Sequence, residues 1–249
     1  RRSIALTTDR FPARPAFDAA VSRSILARVA AGELPETLRL TVTERLVAFG
    51  SRDAVNPAYD EARRAAAAAG FGSYLRLAGG KAAAFHEATI AFGWAIPGAE
   101  PRGTIEQRFD ETGEILTAAL RRLGLDARVG EIPGEYCPGS HSINSAGRRK
   151  VVGVGQRLVN GAAHVGGVIV VERPDLVNRA LVPVYDALGY EWDPSATGSV
   201  ADDIAAGVDG VLAAVIDAFE ERHDLSRTSI DRATLDGAAR LEAAPLRSR

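Results

Sequence analysis

Apolar residues recur at three- and four-residue steps in several stretches of the chain, which is the pattern of amphipathic helices. The clearest stripe includes Phe17 and Ile25, begins near Pro15 and stops at Gly32. Proline is favoured at the start of a helix and glycine just past its end, so this stretch predicts a helix over residues 15–32. Further helices are predicted over residues 56–69, 104–124, 181–188 and 200–221.

Short apolar runs bounded by turn residues predict strands between these helices. The runs cover residues 37–42, 45–50, 73–78, 81–86, 89–96 and 127–132. Asn160-Gly161 is a strong signal for a two-residue hairpin turn, so it predicts a hairpin between residues 148–159 and 162–171. Residues 140–144 are expected to pair with the first of these two strands.

The remaining segments carry weaker signals. The first dozen residues are polar and predict no regular structure, and a linker is predicted between Pro97 and Pro101. The charged stretch from about residue 226 is expected to add at most one helix and to fray. Alternating strands and helices predict an α/β or α+β fold, and we expect residues 1–249 to form a single domain.

The hairpin geometry predicts which side chains share a face of the sheet. With residues 160–161 as the loop, Arg157 pairs with His164. Because side chains alternate along a strand, Lys150 and Gln156 are expected on one face, with apolar side chains between them, and His164 on the other. We therefore expect His164 to be structural.

Composition excludes several classes of function. The chain is 46% hydrophobic, which is ample for a core, and its formal net charge of −2 predicts no nucleic-acid surface. Its single cysteine excludes an internal disulfide and favours a reducing compartment. No long apolar segment or signal-peptide pattern is present, so we expect a cytoplasmic protein without membrane association.

The candidate chemistry lies in the stretch 135–157. Cys137 is followed thirteen residues later (150 − 137) by Lys150. A thiol beside an amine suggests acyl transfer, since the thiolate is the nucleophile and a nearby ammonium favours it. The residues alone do not exclude the simpler alternative, in which Cys137 is a small apolar residue buried in the core. His141 is near enough to reach the thiol, but a solvated hairpin histidine is the preferred interpretation.

Two further features of the sequence bear on possible binding sites. Gly79-Gly80 lies between predicted strands, where a glycine pair lets a ligand approach the backbone; a tight turn is the simpler interpretation from the residues alone. The four histidines and the one cysteine show no metal-ligand spacing, so no metal site is predicted.

The motif Cys137-Pro138-Gly139, followed by Gly147-x-x-Lys150-x-x-Gly153-x-x-Gln156, resembles the lipoate/octanoate transferase and ligase family. The resemblance runs from about residue 17 to about residue 193. In that family a lysine, a glycine and a glutamine at three-residue steps line the acyl site, which implies that role for Lys150, Gly153 and Gln156. The stretch flanked by these side chains is accordingly expected to border an acyl chain.

The same resemblance implies a role for the glycine pair. In the family an arginine precedes the pair by three residues, as Arg76 does here, and the loop forms part of the acyl or acyl-adenylate pocket. Arg76, Gly79 and Gly80 are therefore expected to bind substrate. The implied fold is that of the class II biotin/lipoate protein ligases, a mixed and largely antiparallel sheet with flanking helices.

The sequence YCPG ahead of the lysine is similar to the cysteine-dependent octanoyltransferases of this family. This similarity implies an acyltransferase that moves an octanoyl or lipoyl group through a Cys137 thioester to a lysine of a lipoyl domain. Lys150 would hold the thiolate or polarise the acyl carbonyl. The implied partners are the glycine-cleavage carrier protein, the E2 subunit of 2-oxoacid dehydrogenases or acyl carrier protein, and no cofactor is expected.

Two alternatives remain open. An ATP-dependent lipoate-protein ligase would use ATP and Mg²⁺, and its Cys137 would be dispensable. Such ligases carry a third glycine and then a histidine in the glycine loop, where this chain has Lys81 and Phe85. The second alternative is a non-catalytic protein that binds lipoyl domains or fatty acids, which a fully buried Cys137 would favour.

Overall fold

The computed structural model describes residues 1–76, 78–98 and 104–243. These residues form two sheets with helices around them. The larger sheet has eight strands in the order β11-β1-β2-β6-β10-β9-β8-β7, and the smaller one has three in the order β4-β3-β5. The strands are β1 (Ser3–Thr7), β2 (Thr37–Thr41), β3 (Leu46–Phe49), β4 (Gly72–Leu75), β5 (Ala83–Phe85), β6 (Thr89–Pro97), β7 (Ala127–Val129), β8 (Ile143–Ser145), β9 (Arg149–Val159), β10 (Ala162–Val170) and β11 (Asp224–Arg227).

Seven α-helices lie in the described part of the chain. They are α1 (Pro15–Ala30), α2 (Ser51–Ala54), α3 (Tyr59–Ala68), α4 (Ile105–Arg122), α5 (Pro174–Leu188), α6 (Val208–Glu220) and α7 (Arg232–Ala243). Helices α4 and α6 pack on one face of the large sheet and α1, backed by α7, on the other. The small sheet packs with α3 and α5, so the space between α1, the large sheet and the small sheet is where a cleft can form.

Most neighbours in the large sheet are antiparallel. Only β1 runs parallel to its two neighbours, β2 and β11. A mixed, mostly antiparallel sheet with flanking helices confirms the predicted fold class.

The central hairpin confirms its predicted register. Val159 pairs with Ala162 and Arg157 with His164, around a loop in which Gly161 has φ +85°. Gly161 supplies the positive φ of this loop, because glycine adopts it without a steric cost.

Several predicted boundaries are wrong for local physical reasons. The helix expected from residue 181 begins at Pro174, a favoured first-turn residue, and continues through Pro183. The helix expected from residue 200 begins at Val208, because residues 200–202 form a single 3₁₀ turn. The strands expected over 45–50, 81–86 and 127–132 are shorter than predicted. Residue 77 of the strand expected over 73–78 and residues 99–101 of the expected linker lie outside the described residues.

Both ends of the described chain are more ordered than the sequence predicts. Residues 3–7 form β1 inside the large sheet, where no structure was expected. In the stretch expected to fray, α7 packs against α1, and Arg28 of α1 contacts Asp231 at 2.5 Å. Residues 244–249 of that stretch lie outside the described residues.

Candidate active site

The Cys137 thiol sits in a cradle of two nitrogen donors. The Lys81 backbone N–H lies 3.2 Å from Sγ and the Arg76 guanidinium nitrogen Nη2 lies 3.4 Å from it. Cys137 is partly exposed, so a reactant can reach it. Two donors aimed at one sulfur, one of them cationic, stabilise negative charge there.

Cys137 holds a backbone conformation that is unusual for a residue with a side chain. Its φ is +43°, in the left-handed region that costs about 1–2 kcal/mol for residues other than glycine. Such strain persists only where the surroundings impose it, and it clusters at functional sites. The conformation turns the thiol toward the glycine loop at residues 79–80.

Gly80 is the point of closest approach between that loop and the thiol. A Cβ added there would lie 2.6 Å from Cys137 Sγ and 2.8 Å from Arg76 Nη2, and its φ is +93°. Behind it, a Cβ on Gly50 would lie 2.0 Å from the Gly80 carbonyl oxygen. Gly79 has open space around it. Close approach to the thiol therefore explains the second glycine of the pair, which a tight turn alone does not.

A tyrosine from α5 fixes the nucleophile loop to the glycine loop. The Cys137 backbone N–H donates to the Tyr185 hydroxyl at 3.0 Å, and that hydroxyl donates to the Ala82 carbonyl at 2.8 Å. Burial raises the pKa of Tyr185 well above its usual value, and the neighbouring Cys137 adds to the shift, so the hydroxyl stays protonated.

The Lys150 ammonium holds the same loop from beneath. Its Nζ donates to Glu135 Oε1 and to the backbone carbonyls of Tyr136 and Cys137, each at 2.9 Å. Its side chain is 1% exposed. An ammonium has three protons, so all of them are engaged. The expected contact between Lys150 and the thiolate is replaced here by contacts from Arg76 and Lys81.

A β-bulge decides which way Lys150 faces. Strand β8 pairs Ile143 with Val152 but Asn144 with Lys150, so β9 has one extra residue at this point. The extra residue changes the alternation, and Lys150 Cε lies 3.5 Å from where a Cβ on Gly153 would be. The prediction that Lys150 shares a face with Gln156 and the apolar side chains of Val152 and Val154 is therefore wrong.

Gln156 faces away from the thiol. Its side chain accepts from Arg108 Nε at 2.7 Å and donates to the Ile105 carbonyl at 3.2 Å, both at the start of α4. Only its backbone carbonyl approaches the glycine loop, 3.5 Å from the Gly79 nitrogen. The structure thus brings Cys137, Arg76, Gly80, Lys150 and Gly153 together, and it places the Gln156 amide on the opposite face of β9.

An open pocket lies under α1. Arg76 lines it and also contacts Cys137 Sγ, so one guanidinium group links the pocket to the nucleophile. Its empty volume, open mouth included, is about 740 Å³. The lining combines apolar residues such as Leu46, Phe85 and Phe92 with polar residues under α1.

The floor of the pocket is a flat strip of sheet. Gly166 of β10 pairs with Gly93 of β6 on one side and with Gly155 of β9 on the other. The His164 imidazole lies over this strip, because a Cβ on Gly166 would be 2.4 Å from its Nε2. Burial lowers the pKa of His164 to about 4, so the ring is neutral at pH 7. The bulge puts it on the same face as Lys150, contrary to prediction.

His141 has partners of its own. Its ring stacks on Phe109 with centroids 4.0 Å apart, and its Nε2 lies 3.4 Å from Glu106. It makes no contact with the thiol, but its side chain is only 21% exposed, so the ring is less solvated than predicted. Across residues 1–76, 78–98 and 104–243, no group of three or more His, Cys, Asp or Glu side chains could hold a metal ion. No helix in the same ranges is long and apolar enough to cross a membrane.

Sequence reasoning missed three groups that shape this site. They are Glu135, Tyr185 and the Lys81 backbone N–H. Tyr185 is one apolar-stripe residue among several on its helix, and a backbone donor leaves no trace in a sequence. Glu135 stands two residues before the cysteine, where a buried acid could have been suspected only as a counter-ion for Lys150.

Solved structures with the same architecture are lipoate-protein ligases. The chain matches lipoate-protein ligase A bound with ATP with a TM-score of 0.73 and 22% identity, covering 97% of this chain and 93% of that one. It matches a bi-partite lipoate protein ligase from Thermoplasma acidophilum with a TM-score of 0.72 and 18% identity, covering 97% and 92%. At these identities the likeness establishes the fold.

Curated relatives carry one name, octanoyl-[GcvH]:protein N-octanoyltransferase. The relative from Geobacillus kaustophilus is 28% identical over 183 residues, which is 72% of this chain and 64% of the relative. The one from Bacillus velezensis is 28% identical over 174 residues, 66% of this chain and 60% of the relative. The chain thus spans less than two thirds of the length of either relative.

The family comparison covers most of the chain. Residues 14–188 match the family described as the lipoyl protein ligase A/B catalytic domain. That range contains the glycine loop, Cys137, Lys150 and the pocket floor. The chain therefore belongs to the lipoyl protein ligase A/B catalytic domain family.

Proposed function

We propose that this protein is an octanoyltransferase that carries the acyl group on Cys137 as a thioester. The observation that carries the proposal is the cradled, partly exposed thiol, with Arg76 and the Lys81 N–H at hydrogen-bonding distance from Sγ. A non-catalytic binding protein would gain nothing from a strained cysteine in that position. The partial exposure of Cys137 counts against that alternative.

The reaction has two balanced steps. The Cys137 thiolate attacks the carbonyl carbon of an octanoyl amide on a carrier lysine, the C–N bond breaks, and the departing lysine nitrogen takes a proton from solvent. The neutral amine of an acceptor lysine then attacks the thioester, the C–S bond breaks, the thiolate is restored and the amine's extra proton returns to solvent. In this proposal the two cradle donors also stabilise the oxyanion that forms in each step, a contribution worth about 3 kcal/mol per donor in other enzymes.

The pocket under α1 is the proposed place for the acyl chain. Burying an eight-carbon chain contributes about 5 kcal/mol at about 0.8 kcal/mol per methylene, before the chain is ordered. The lining offers apolar side chains to such a chain, and the glycine strip lets it lie flat on the sheet. In this arrangement Gly153 keeps the floor beside Lys150 clear of side chains.

The names of the relatives support a lipoyl carrier of the GcvH type as the protein that exchanges octanoate with Cys137. The second protein would be a lipoyl domain such as that of an E2 subunit, and acyl carrier protein is the competing donor. The proposal includes no nucleotide or metal requirement. It also includes a cytoplasmic location, since a free thiol nucleophile needs a reducing compartment.

Intact-protein mass spectrometry tests the proposal. The protein is mixed, without ATP, with octanoylated GcvH-type carrier and separately with octanoyl-acyl carrier protein. We expect an octanoyl adduct that hydroxylamine removes and that Cys137→Ser does not form. If neither carrier gives an adduct, while ATP and free lipoate modify an acceptor domain equally well with Cys137→Ser, the protein is a ligase and the proposal fails.

A further inference from the structure

A buried carboxylate lies under the nucleophile loop and has no assigned role. The Glu135 side chain is 0% exposed, and both of its oxygens are engaged. Oε1 accepts from Lys150 Nζ at 2.9 Å and from Ser142 Oγ at 2.6 Å, and Oε2 accepts from the Ile132 N–H at 3.0 Å. These bonds fix the carboxylate, so it is a rigid anchor for the ammonium.

The Lys150 ammonium in turn holds the backbone of the loop that carries Cys137. Two successive carbonyls, those of Tyr136 and Cys137, converge on Lys150 Nζ, and the Tyr136 ring centroid lies 4.7 Å from it. Carbonyl dipoles that point at one place repel each other unless a cation lies between them. The left-handed backbone at Cys137 is therefore maintained by the charge of Lys150.

That charge depends on Glu135. A buried ammonium without a counter-ion is strongly destabilised, and Glu135 is the carboxylate in contact with Nζ among the described residues. Without it, the ammonium would leave its buried place. Its departure would release the two carbonyls and let the thiol drift from Arg76 and the Lys81 N–H.

We propose that Glu135 is a positioning residue of the transfer reaction, which acts through Lys150 to hold the Cys137 backbone so that the thiol stays in its cradle. This inference rests on the proposed function for its acylation readout. Its other readout does not: iodoacetamide alkylation of the single cysteine reports thiol presentation with no carrier or acyl group present.

A double-mutant cycle tests it with Glu135→Gln, Lys150→Met and the two combined. We expect Glu135→Gln to slow Cys137 alkylation at pH 7, and the acylation rate at saturating donor, about tenfold or more, with KM for the donor unchanged. In the Lys150→Met background the same change should slow either rate less than about twofold, because it acts through the lysine. Glu131→Gln makes the same change at an exposed carboxylate four residues away, and is the matched control expected within about twofold of the parent.

The outcomes separate the two proposals. Parental rates in Glu135→Gln, or effects of the two single changes that multiply, would overturn the positioning role. If the single variants fail to fold, the combined variant, which leaves no charge at positions 135 and 150, still decides: slow alkylation supports the role and a parental rate refutes it. If the parental protein is alkylated readily but forms no octanoyl adduct, the proposed function is contradicted. The positioning role of Glu135 can still be judged in that case from the alkylation rates.

Discussion

Gly80→Ala is the change that most directly tests the geometry around the thiol. Ordinary contact begins at 3.4 Å, and the added Cβ would lie 2.6 Å from Cys137 Sγ, so the sulfur or the loop must move by about 0.8 Å (3.4 − 2.6). A misplacement of about 1 Å at a reacting atom can slow catalysis about 100-fold. The positive φ adds about 1–2 kcal/mol of destabilisation. We therefore expect acylation of Cys137 to fall by about 100-fold, with a modest loss of stability.

The neighbouring glycine supplies a matched control. A Cβ on Gly79 would meet no atom within 4 Å, and its φ is outside the positive range. Gly79→Ala should therefore leave the thiol in place, acylate much faster than Gly80→Ala and unfold at the same denaturant concentration as the parent. Quench-flow mass spectrometry measures acylation, and urea unfolding measures stability. If Gly80→Ala acylates as fast as Gly79→Ala, the thiol does not lie against the glycine loop and the proposed cradle is wrong.

Three other changes address the loop, the buried histidines and the pocket. Tyr185→Phe leaves the Cys137 N–H without its acceptor, so urea unfolding should show a loss of about 1–3 kcal/mol; an unchanged midpoint would contradict the link. Burial lowers the pKa of both His86 and His164 to about 4, so below pH 6.5 the unfolded chain binds protons that the folded chain does not. Unfolding free energy should therefore fall between pH 6.5 and pH 4, by about 3 kcal/mol per histidine, and His164→Gln should flatten the titration. Ala91→Leu fills part of the pocket, so competition between octanoyl and shorter donors should shift toward the shorter acyl groups; an unchanged preference would place the acyl chain elsewhere.

The sequence was most informative where local rules decide structure. Asn160-Gly161 determined the hairpin loop and with it the pairing of Arg157 with His164, since a two-residue loop leaves one register. The apolar stripe beginning at Pro15 likewise predicted α1 to within two residues of its end. The candidate nucleophile and the glycine loop also came from the sequence, through a recognised motif.

The wrong or missing predictions depend on a single extra residue in a strand, or on contacts between residues that are far apart in the sequence. The extra residue in β9 at Lys150 reverses the face on which that lysine lies, and no composition signal marks a bulge of this kind. Glu135 and Tyr185 reach the thiol loop only after the chain has folded, so their roles are visible only in three dimensions. Strand β1 is short and pairs with strands far along the chain, which local periodicity cannot predict.

The placement of β1 also has a consequence for the order in which the molecule is built. Ser3 pairs with Asp224, which lies 221 residues later in the chain (224 − 3). One edge of β1 therefore has no partner strand until β11 has been synthesised. Until β11 emerges from the ribosome, that edge presents unpaired amide and carbonyl groups to any extended segment nearby. A nascent or truncated chain that stops before β11 is therefore expected to associate through β1, even though the thiol loop and the pocket are already encoded upstream.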